Sequence, residues 1–304
     1  MSLKTRFNLP PSPPNLPFIG NIHHLGQMRM PHVSLRRLAE KYGPIFYLQL
    51  GEVPTVVSSA KMAKEVMKTH DLALSSRPQI FSAKQLFYDC TDIGFSHYNN
   101  YRRHTRKISI LELLSAKRVQ SQSFVREEEV ARLVRRIAES YPGTTDLTRM
   151  LGLYTNDVLC RNAFGKGYSV GGDYDRQGFR KMLDDVQGLL GGFNIREFFP
   201  SMEFIHSLTG MKSRLRDTFR RIDQLFDEII KEHLNRERVK EEHKNFVDVL
   251  LDMHKNEEVE IPLTMDNVKS VMLVSVTFLA FTDLIMSRKQ KLLVLICTII
   301  ANML

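Results

Sequence analysis

Apolar residues recur every three or four positions along most of this chain, which is the spacing of one face of an α-helix. Two segments show the spacing clearly, and their apolar positions are Phe124, Val130, Leu133, Val134 and Ile137 in the first and Leu215, Phe219, Ile222, Phe226, Ile229 and Ile230 in the second. In the first segment, Glu128, Arg132 and Arg136 share a different face of the same helix. The pattern predicts a mainly α protein.

Proline and glycine predict where the first helices and a small sheet lie. Pro31 begins a helix that Gly43–Pro44 ends. Two apolar runs, residues 45–50 and 55–58, flank a turn segment and predict a β-hairpin, which is the one sheet that the pattern indicates. A short helix is expected over residues 59–67.

The residue composition of the chain changes within its last predicted helix. Thr264 is the expected cap of a helix that begins at Met265. From Leu273 onward, two apolar runs stand on either side of the basic segment 287–291, and neither reaches the ~20 residues that a membrane-spanning helix needs. We therefore divide the chain into a basic, proline-rich hinge (1–21), a main domain (22–270) and a divergent apolar tail (271–304). The tail is either a genuine, weakly membrane-associated segment or the product of a splicing or reading-frame change.

Charge narrows the classes of partner. The chain has 43 Lys and Arg against 34 Asp and Glu, a formal net charge of +9. That balance favours contact with an anionic lipid surface or an acidic protein, and it is equally that of a plain soluble protein of high pI. Basic and aromatic residues do not combine into a nucleic-acid platform, so we expect no nucleic-acid partner.

The cysteines and the other reactive residues give no catalytic signature. Cys90, Cys160 and Cys297 form no C-x-x-C pair, which argues against a disulfide framework and for a reducing, cytosol-facing compartment. The sequence contains neither an H-E-x-x-H nor a G-x-S-x-G motif. We therefore assign no metal ligand and no catalytic residue.

A proline-dense segment near the N-terminus is the most specific pattern. Residues 10–21 contain five prolines, and because proline fixes φ, we expect an extended, semi-rigid hinge that turns at Gly20. This hinge, followed by Lys41–Pro44, Ser75–Pro78 and Tyr101–Lys107, resembles the microsomal cytochromes P-450, in particular those of plant specialised metabolism. The resemblance implies a cytochrome P-450-like multi-helix architecture with a small β-hairpin sheet, of which this chain is a truncated, N-terminal part.

The resemblance also implies a haem cofactor. The family uses a tryptophan and an arginine, spaced four residues apart on one helix, beside the haem propionates, and the corresponding positions here are Arg102 and Arg106. Arg106 matches the family, whereas Arg102 departs from it because this chain has no tryptophan. The family's iron-binding cysteine lies in a loop with glycine and arginine, and none of the three cysteines has that surrounding. We therefore expect that this chain itself does not bind haem as a thiolate complex and is inactive.

Two apolar segments match the family's substrate-contacting regions. Phe81, Leu86 and Phe87 fall in its first substrate-contacting loop, and Phe204 and Ile205 fall in its lid. Aromatic and aliphatic side chains at these places suit a small lipophilic plant metabolite such as a terpenoid. Ordinary core packing would explain the same residues.

Three interpretations of the function remain open. The resemblance implies a monooxygenase that hydroxylates a lipophilic plant metabolite with electrons from an NADPH-dependent P-450 reductase, at the cytosolic face of the endoplasmic reticulum membrane. We expect this chain to lack the anchor that the family places upstream of the hinge, because its first six residues carry positive charge and no apolar run. The second interpretation is a truncated product without catalysis, and the third is a non-catalytic helical protein that binds a membrane surface or a partner.

The apolar stripe of the second segment leads to an expectation about folding. Leu215, Phe219, Ile222, Phe226 and Ile229 need a complementary surface, as does the helix over residues 272–281. In the resembled fold, haem and the C-terminal half supply much of that surface. We therefore expect the chain alone to leave these residues uncovered and to fold poorly.

Overall fold

The computed structural model describes residues 9–17, 19–26, 31–50, 55–113, 115–167, 178–191, 210–235, 244–256 and 261–285. Over these residues the chain is mainly helical and contains one two-stranded sheet, which confirms the predicted fold class. The chain forms two compact units, the first from Met1–Ser76 with Phe193–Lys212 and the second from Arg77–Gly192 with Ser213–Leu304. The predicted boundaries at residues 21 and 270 stay predictions.

The first unit contains the predicted hairpin and short helices. Its helices are Ile22–Gly26, Pro31–Tyr42, Ala60–Lys64 and Asp71–Leu74, and its antiparallel strands are Ile45–Tyr47 and Thr55–Val57. Phe46 pairs with Val56 at the centre of the sheet. The helix expected over residues 59–67 begins where predicted, because the Ser59 side chain accepts a hydrogen bond from the Met62 N–H. It widens to a π-helix over Glu65–Thr69, closed by a bond from the His70 N–H to the Glu65 carbonyl.

The proline-rich hinge is tied to the first strand by hydrogen bonds. Tyr47 N–H donates to the Pro11 carbonyl at 2.8 Å, and the Asn21 side chain donates to the carbonyls of Pro13 and Pro14. The turn at Gly20 is confirmed: its φ is +57°, and a Cβ there would come within 2.2 Å of a backbone oxygen. Only glycine fits this turn.

The second unit is built from helices of very different lengths. Its described helices are Phe81–Leu86, Asn100–Ile108, Ala116–Ser121, Ser123–Glu139, Leu147–Phe164, Phe179–Gly191, Phe246–Lys255 and Met265–Ile285, together with Met211–Leu234 from its third residue onward and a π-helix over Ser109–Leu113. We call Met211–Leu234 the long helix and Met265–Ile285 the last helix. The last helix begins at the predicted cap, because Asn267 N–H donates to the Thr264 hydroxyl. No helix in the described part of the chain is long and apolar enough to span a membrane.

The apolar stripe of the long helix is buried within the second unit. Leu215, Phe226 and Ile229 are fully buried, and the Phe226 ring lies 6.2 Å from the Phe164 ring, centroid to centroid. Met272 on the last helix is also buried. For the described positions, the expectation that they are uncovered is therefore wrong, because neighbouring helices of the same unit supply the complementary surface. Poor folding of the chain alone stays a prediction.

The helix Ser123–Glu139 is confirmed, but a different face of it is buried. Val125, Glu129 and Leu133 point inward, whereas Phe124 and Val134 are exposed. Glu129 is 1% exposed, and its Oε1 accepts hydrogen bonds from Arg132 at 2.9 Å and from Arg161 at 2.7 Å. Arg161 also contacts Glu128. The buried face of this helix therefore contains a paired carboxylate, and the Phe124 ring lies outside it.

Candidate functional site

The helix Asn100–Ile108 presents its two candidate haem-binding arginines differently. Asn99 caps the helix, because its side chain accepts a hydrogen bond from the Arg102 N–H at 2.9 Å. The Arg102 side chain is buried with Thr105 and Ile108 on the inner face, whereas Arg106 is exposed. Four residues advance a helix by about 400°, so the two side chains leave the axis about 40° apart. Arg102 is thus still on the buried face of the helix, whereas Arg106 is on the exposed face.

Arg102 lies beside a buried carboxyl, Asp92. The Asp92 Oδ1 accepts hydrogen bonds from the backbone N–H groups of Gly94 at 2.5 Å and Phe95 at 2.9 Å. Burial raises the pKa of Asp92 to about 6, although those backbone N–H groups and the positive charge of Arg102 act in the opposite direction. A Cβ on Gly94 would come within 2.9 Å of Asp92 Oδ1 and 3.4 Å of Val274 Cγ2. The turn therefore packs tightly against the last helix.

The raised pKa of Asp92 predicts a pH-dependent stability. Between pH 4 and pH 6 the unfolded chain loses this proton while the folded chain keeps it, so the folded state becomes less stable as the pH rises. The change is about 2 kcal/mol over that interval, out of about 3 kcal/mol for the whole titration. Asp92→Asn should remove this part of the pH dependence, measured as the free energy of urea unfolding at pH 4, 5, 6 and 7. Asp89→Asn is the matched control, since that side chain is exposed, and an unaltered pH dependence in Asp92→Asn would contradict the assignment.

The first predicted substrate-contacting segment is only partly accessible. Phe81 is half-buried, whereas Leu86 and Phe87 are buried. The Phe87 ring packs against Phe95 with centroids 5.5 Å apart, and the Phe87 carbonyl accepts a hydrogen bond from the Ser270 hydroxyl of the last helix at 2.9 Å. Phe204 and Ile205 lie outside the described residues. The structure thus joins the first segment to the last helix, and the role of all five residues in substrate contact stays a prediction.

A strained turn follows this segment directly. Tyr88, Asp89 and Cys90 have φ values of 48°, 60° and 57°. Such left-handed conformations cost about 1–2 kcal/mol for each residue other than glycine, although aspartate tolerates them better than most. Three in a row persist only where the surrounding contacts determine them, and in known proteins such strain concentrates at functional sites.

Tyr88 connects this turn to a cluster of charges. Its hydroxyl donates a hydrogen bond to Asp223 Oδ1 at 2.7 Å. Lys269 Nζ lies 2.7 Å from the same oxygen and 2.6 Å from Asp227 Oδ1. Burial alone would lower the pKa of Lys269, but its bonds to the two aspartates outweigh burial and raise it. Burial raises the pKa of Tyr88, as does Asp223, so the hydroxyl remains a donor.

Sequence reasoning missed Asp92, Asp223 and Lys269. One signal was present for Lys269, which precedes the apolar residues 271–274 on the predicted last helix. A lysine in such a place is buried only when it is paired. Asp223 and Asp92 carry no comparable signal, because aspartate is common on helix surfaces and in turns.

A haem iron in this family needs a cysteine thiolate ligand. Both described cysteines are buried and free of disulfides; burial raises the pKa of Cys160, and burial together with the charges of Asp92 and Asp89 raises that of Cys90 to about 12. Cys160 lies within the helix Leu147–Phe164 and Cys90 in a turn, so neither has the glycine- and arginine-containing loop of the family's iron ligand. No group of three or more His, Cys, Asp or Glu residues in the described part of the chain could hold a metal ion. The described cysteines therefore do not fit an iron ligand, and the place of Arg106 beside a propionate stays a prediction.

Comparison with known proteins decides the family. The sequence model of the cytochrome P450 family matches residues 10–282. The chain belongs to this family. The structure of a zebrafish cytochrome P450 with abiraterone superposes with a TM-score of 0.62 at 20% identity, over 83% of this chain and 55% of that one. This P450 therefore has the family's fold over its matched part, and at the family level a haem cofactor is implied.

Several plant P450s are similar in sequence. Cytochrome P450 71AP13 of Prunus mume is 69% identical over 95% of this chain and 58% of that protein. Strychnine-11-hydroxylase of Strychnos nux-vomica is 43% identical over 87% of this chain and 52% of its own length. Premnaspirodiene oxygenase of Hyoscyamus muticus is 39% identical over 86% of this chain and 52% of its own length. The chain thus spans a little more than half the length of these relatives. These relatives are all plant proteins.

Proposed function

We propose that this chain is the N-terminal portion of a haem-dependent monooxygenase that hydroxylates a small lipophilic plant metabolite, and that the chain itself carries out no hydroxylation. The observation that carries the first part is the 69% identity with the Prunus mume P450 over 95% of the chain. The second part rests on the cysteines, because none of the three lies in a glycine- and arginine-containing loop like that of the family's iron ligand.

Arg106 is the residue that we propose for a haem propionate. Its guanidinium is exposed at the end of a well-capped helix, and arginine binds anionic oxygens with two parallel hydrogen bonds. Arg102 is the weaker candidate, since its side chain is buried beside Asp92. The haem, when bound, would supply the oxygen-activating chemistry. This chain would supply the positive charge of Arg106, which would bind a propionate of the haem.

The proposed substrate class follows from the relatives and from the apolar residues. The names of two relatives state hydroxylation of strychnine and oxygenation of premnaspirodiene. Phe81, Leu86 and Phe87, with Phe204 and Ile205 in the second segment, would provide apolar contacts to such a compound. A terpenoid-like metabolite is the proposed substrate.

The proposed partners are those of the family. Electrons would come from an NADPH-dependent P-450 reductase, and the protein would act at the cytosolic face of the endoplasmic reticulum membrane. The net charge of +9 suits an acidic partner or an anionic lipid surface. Nucleic acid is not a proposed partner.

A chimera tests the proposal. Residues 1–282 of this chain would be joined to the C-terminal part of the Prunus mume P450, which supplies an iron-ligand region. We expect the chimera to bind haem, and we expect Arg106→Ala to lower the haem content more than Arg102→Ala does. A charge-assisted hydrogen bond contributes about 1.5–3 kcal/mol, which corresponds to a clear loss of bound haem. The measurement is haem per polypeptide after gel filtration.

Two outcomes would contradict the proposal. Equal or reversed effects of the two substitutions would show that the propionate position is misassigned. A chimera without haem, beside a haem-loaded Prunus mume control, would show that this chain does not provide a P450 haem pocket. It would favour a non-catalytic protein that binds a membrane surface or a partner.

A further inference from the structure

The turn Phe87–Cys90 is held by hydrogen bonds to the residues that precede it and by one from the last helix. Within the segment, Phe87 N–H donates to the Ala83 carbonyl at 2.8 Å, and Asp89 N–H donates to the Lys84 carbonyl at 2.9 Å. From the last helix, the Ser270 hydroxyl donates to the Phe87 carbonyl at 2.9 Å. These bonds fix the turn up to Tyr88, where the left-handed backbone begins.

The side chain of Tyr88 makes three contacts with the long helix and the last helix. Its hydroxyl bonds to Asp223 at 2.7 Å, and its ring meets the Phe219 ring edge-on with centroids 5.0 Å apart. Lys269 Nζ lies 6.0 Å from the Tyr88 ring centroid, within range of a cation–π interaction. We call Tyr88, Asp223, Asp227 and Lys269 the anchor cluster.

The anchor cluster is more than a surface ion pair. The Lys269 side chain is only 8% exposed, and Asp223 is partly buried. Phe219, Asp223 and Asp227 follow each other at intervals of four on the long helix and therefore share a face. That face meets Lys269 of the last helix and Tyr88 of the turn. Partial burial strengthens such bonds relative to those in water.

We propose that the anchor cluster positions the turn Phe87–Cys90 and thereby sets the shape of the substrate-contacting segment Phe81–Phe87. Tyr88 is the positioning residue, and it acts through its hydroxyl bond to Asp223. The inference rests on the proposed function, because it gives a role to the segment assigned there to substrate contact. Without this bond, the left-handed turn loses one of the contacts that determine it, and the segment samples other conformations.

Amide hydrogen exchange on the full 304-residue chain tests the anchoring itself. Tyr88→Phe removes one oxygen atom and keeps the ring, and Asp223→Asn weakens the same bond from the other side. Loss of a hydrogen bond to a charged group corresponds to about tenfold to hundredfold faster local exchange. We expect this acceleration at the amides of Asp89 and Thr91, which are hydrogen-bonded in the turn. Asp185→Asn is the matched control, because it removes a 2.7 Å ion pair with Arg221 of the same long helix.

Two exchange results would overturn the anchoring. Unaltered exchange at Asp89 and Thr91 in both variants would show that Tyr88 does not hold the turn. Acceleration spread evenly over the helices of the second unit would show a general loss of stability rather than positioning.

A binding measurement then tests the link to the pocket. In the haem-loaded chimera, Tyr88→Phe should raise the dissociation constant of the probe 4-phenylimidazole by about threefold to tenfold, because a smaller fraction of the protein holds the binding conformation. The haem content should stay the same. An unchanged dissociation constant would overturn the positioning role. An unsubstituted chimera without haem would instead overturn the proposed function, and the exchange result would then decide the anchoring on its own.

Discussion

Replacing Arg161 with Met should lower the free energy of unfolding by about 3–5 kcal/mol. Arg161 Nη1 lies 2.7 Å from Oε1 of Glu129, whose side chain is 1% exposed. Arg132 also contacts that oxygen, but its own side chain is half exposed to solvent. Removing Arg161 therefore leaves the buried Glu129 carboxylate with Arg132 as its partner, and solvent weakens the attraction between these two charges. Urea unfolding at pH 7, followed by far-UV circular dichroism, measures the loss.

The double variant Glu129→Leu/Arg161→Met separates an uncompensated charge from lost packing. Removing both charges should recover most of the stability, because an apolar pair can replace a buried ion pair at little cost. Arg36→Met is the control, since Arg36 pairs with Glu40 on an exposed surface, and such pairs contribute little. A double variant as unstable as Arg161→Met would show that the aliphatic stem of Arg161, rather than its charge, carries the effect.

Local signals in the sequence were sufficient for the few element boundaries that it predicted. The helix over Pro31–Tyr42 ends at Gly43, as its glycine and following proline predict. The hairpin and the cap at Thr264 are also where the sequence indicated. Each of these depends on the conformational preferences of one or two residues, which do not change with the rest of the fold.

Burial of charged residues could not be predicted in the same way. Glu129 lies inside because Arg161, 32 positions away, meets it there, and periodicity along one helix contains no information about that partner. The anchor cluster has the same property, since Tyr88 and Asp223 are 135 positions apart. Pairings between distant charges depend on tertiary packing, which local patterns do not encode.

The candidate site was predicted in part. The spacing of Arg102 and Arg106 placed both on one helix, and the structure confirms that helix. The difference in their exposure depends on Asp92, which pairs with the Arg102 side of the helix. The strained turn at Tyr88 has no sequence signal, because none of its three residues is glycine or asparagine.

The second large effect concerns haem. We expect the 304-residue chain alone to form no haem–thiolate complex. Cys90 is buried in the turn after Phe87, and burial raises the pKa of its thiol. Cys160 is buried and its pKa is also raised. A missing iron ligand is not replaced by contacts to the propionates, so Arg106 alone cannot produce the complex.

The reduced, carbon monoxide-bound absorbance spectrum tests the central claim most directly. It would be recorded for the purified chain and for its chimera with the Prunus mume C-terminal part, both produced with added haem precursor. We predict a thiolate-type Soret band for the chimera and none for the chain. A thiolate-type band from the chain alone would contradict the account. So would the absence of this band from the chimera when the full-length Prunus mume P450 shows it.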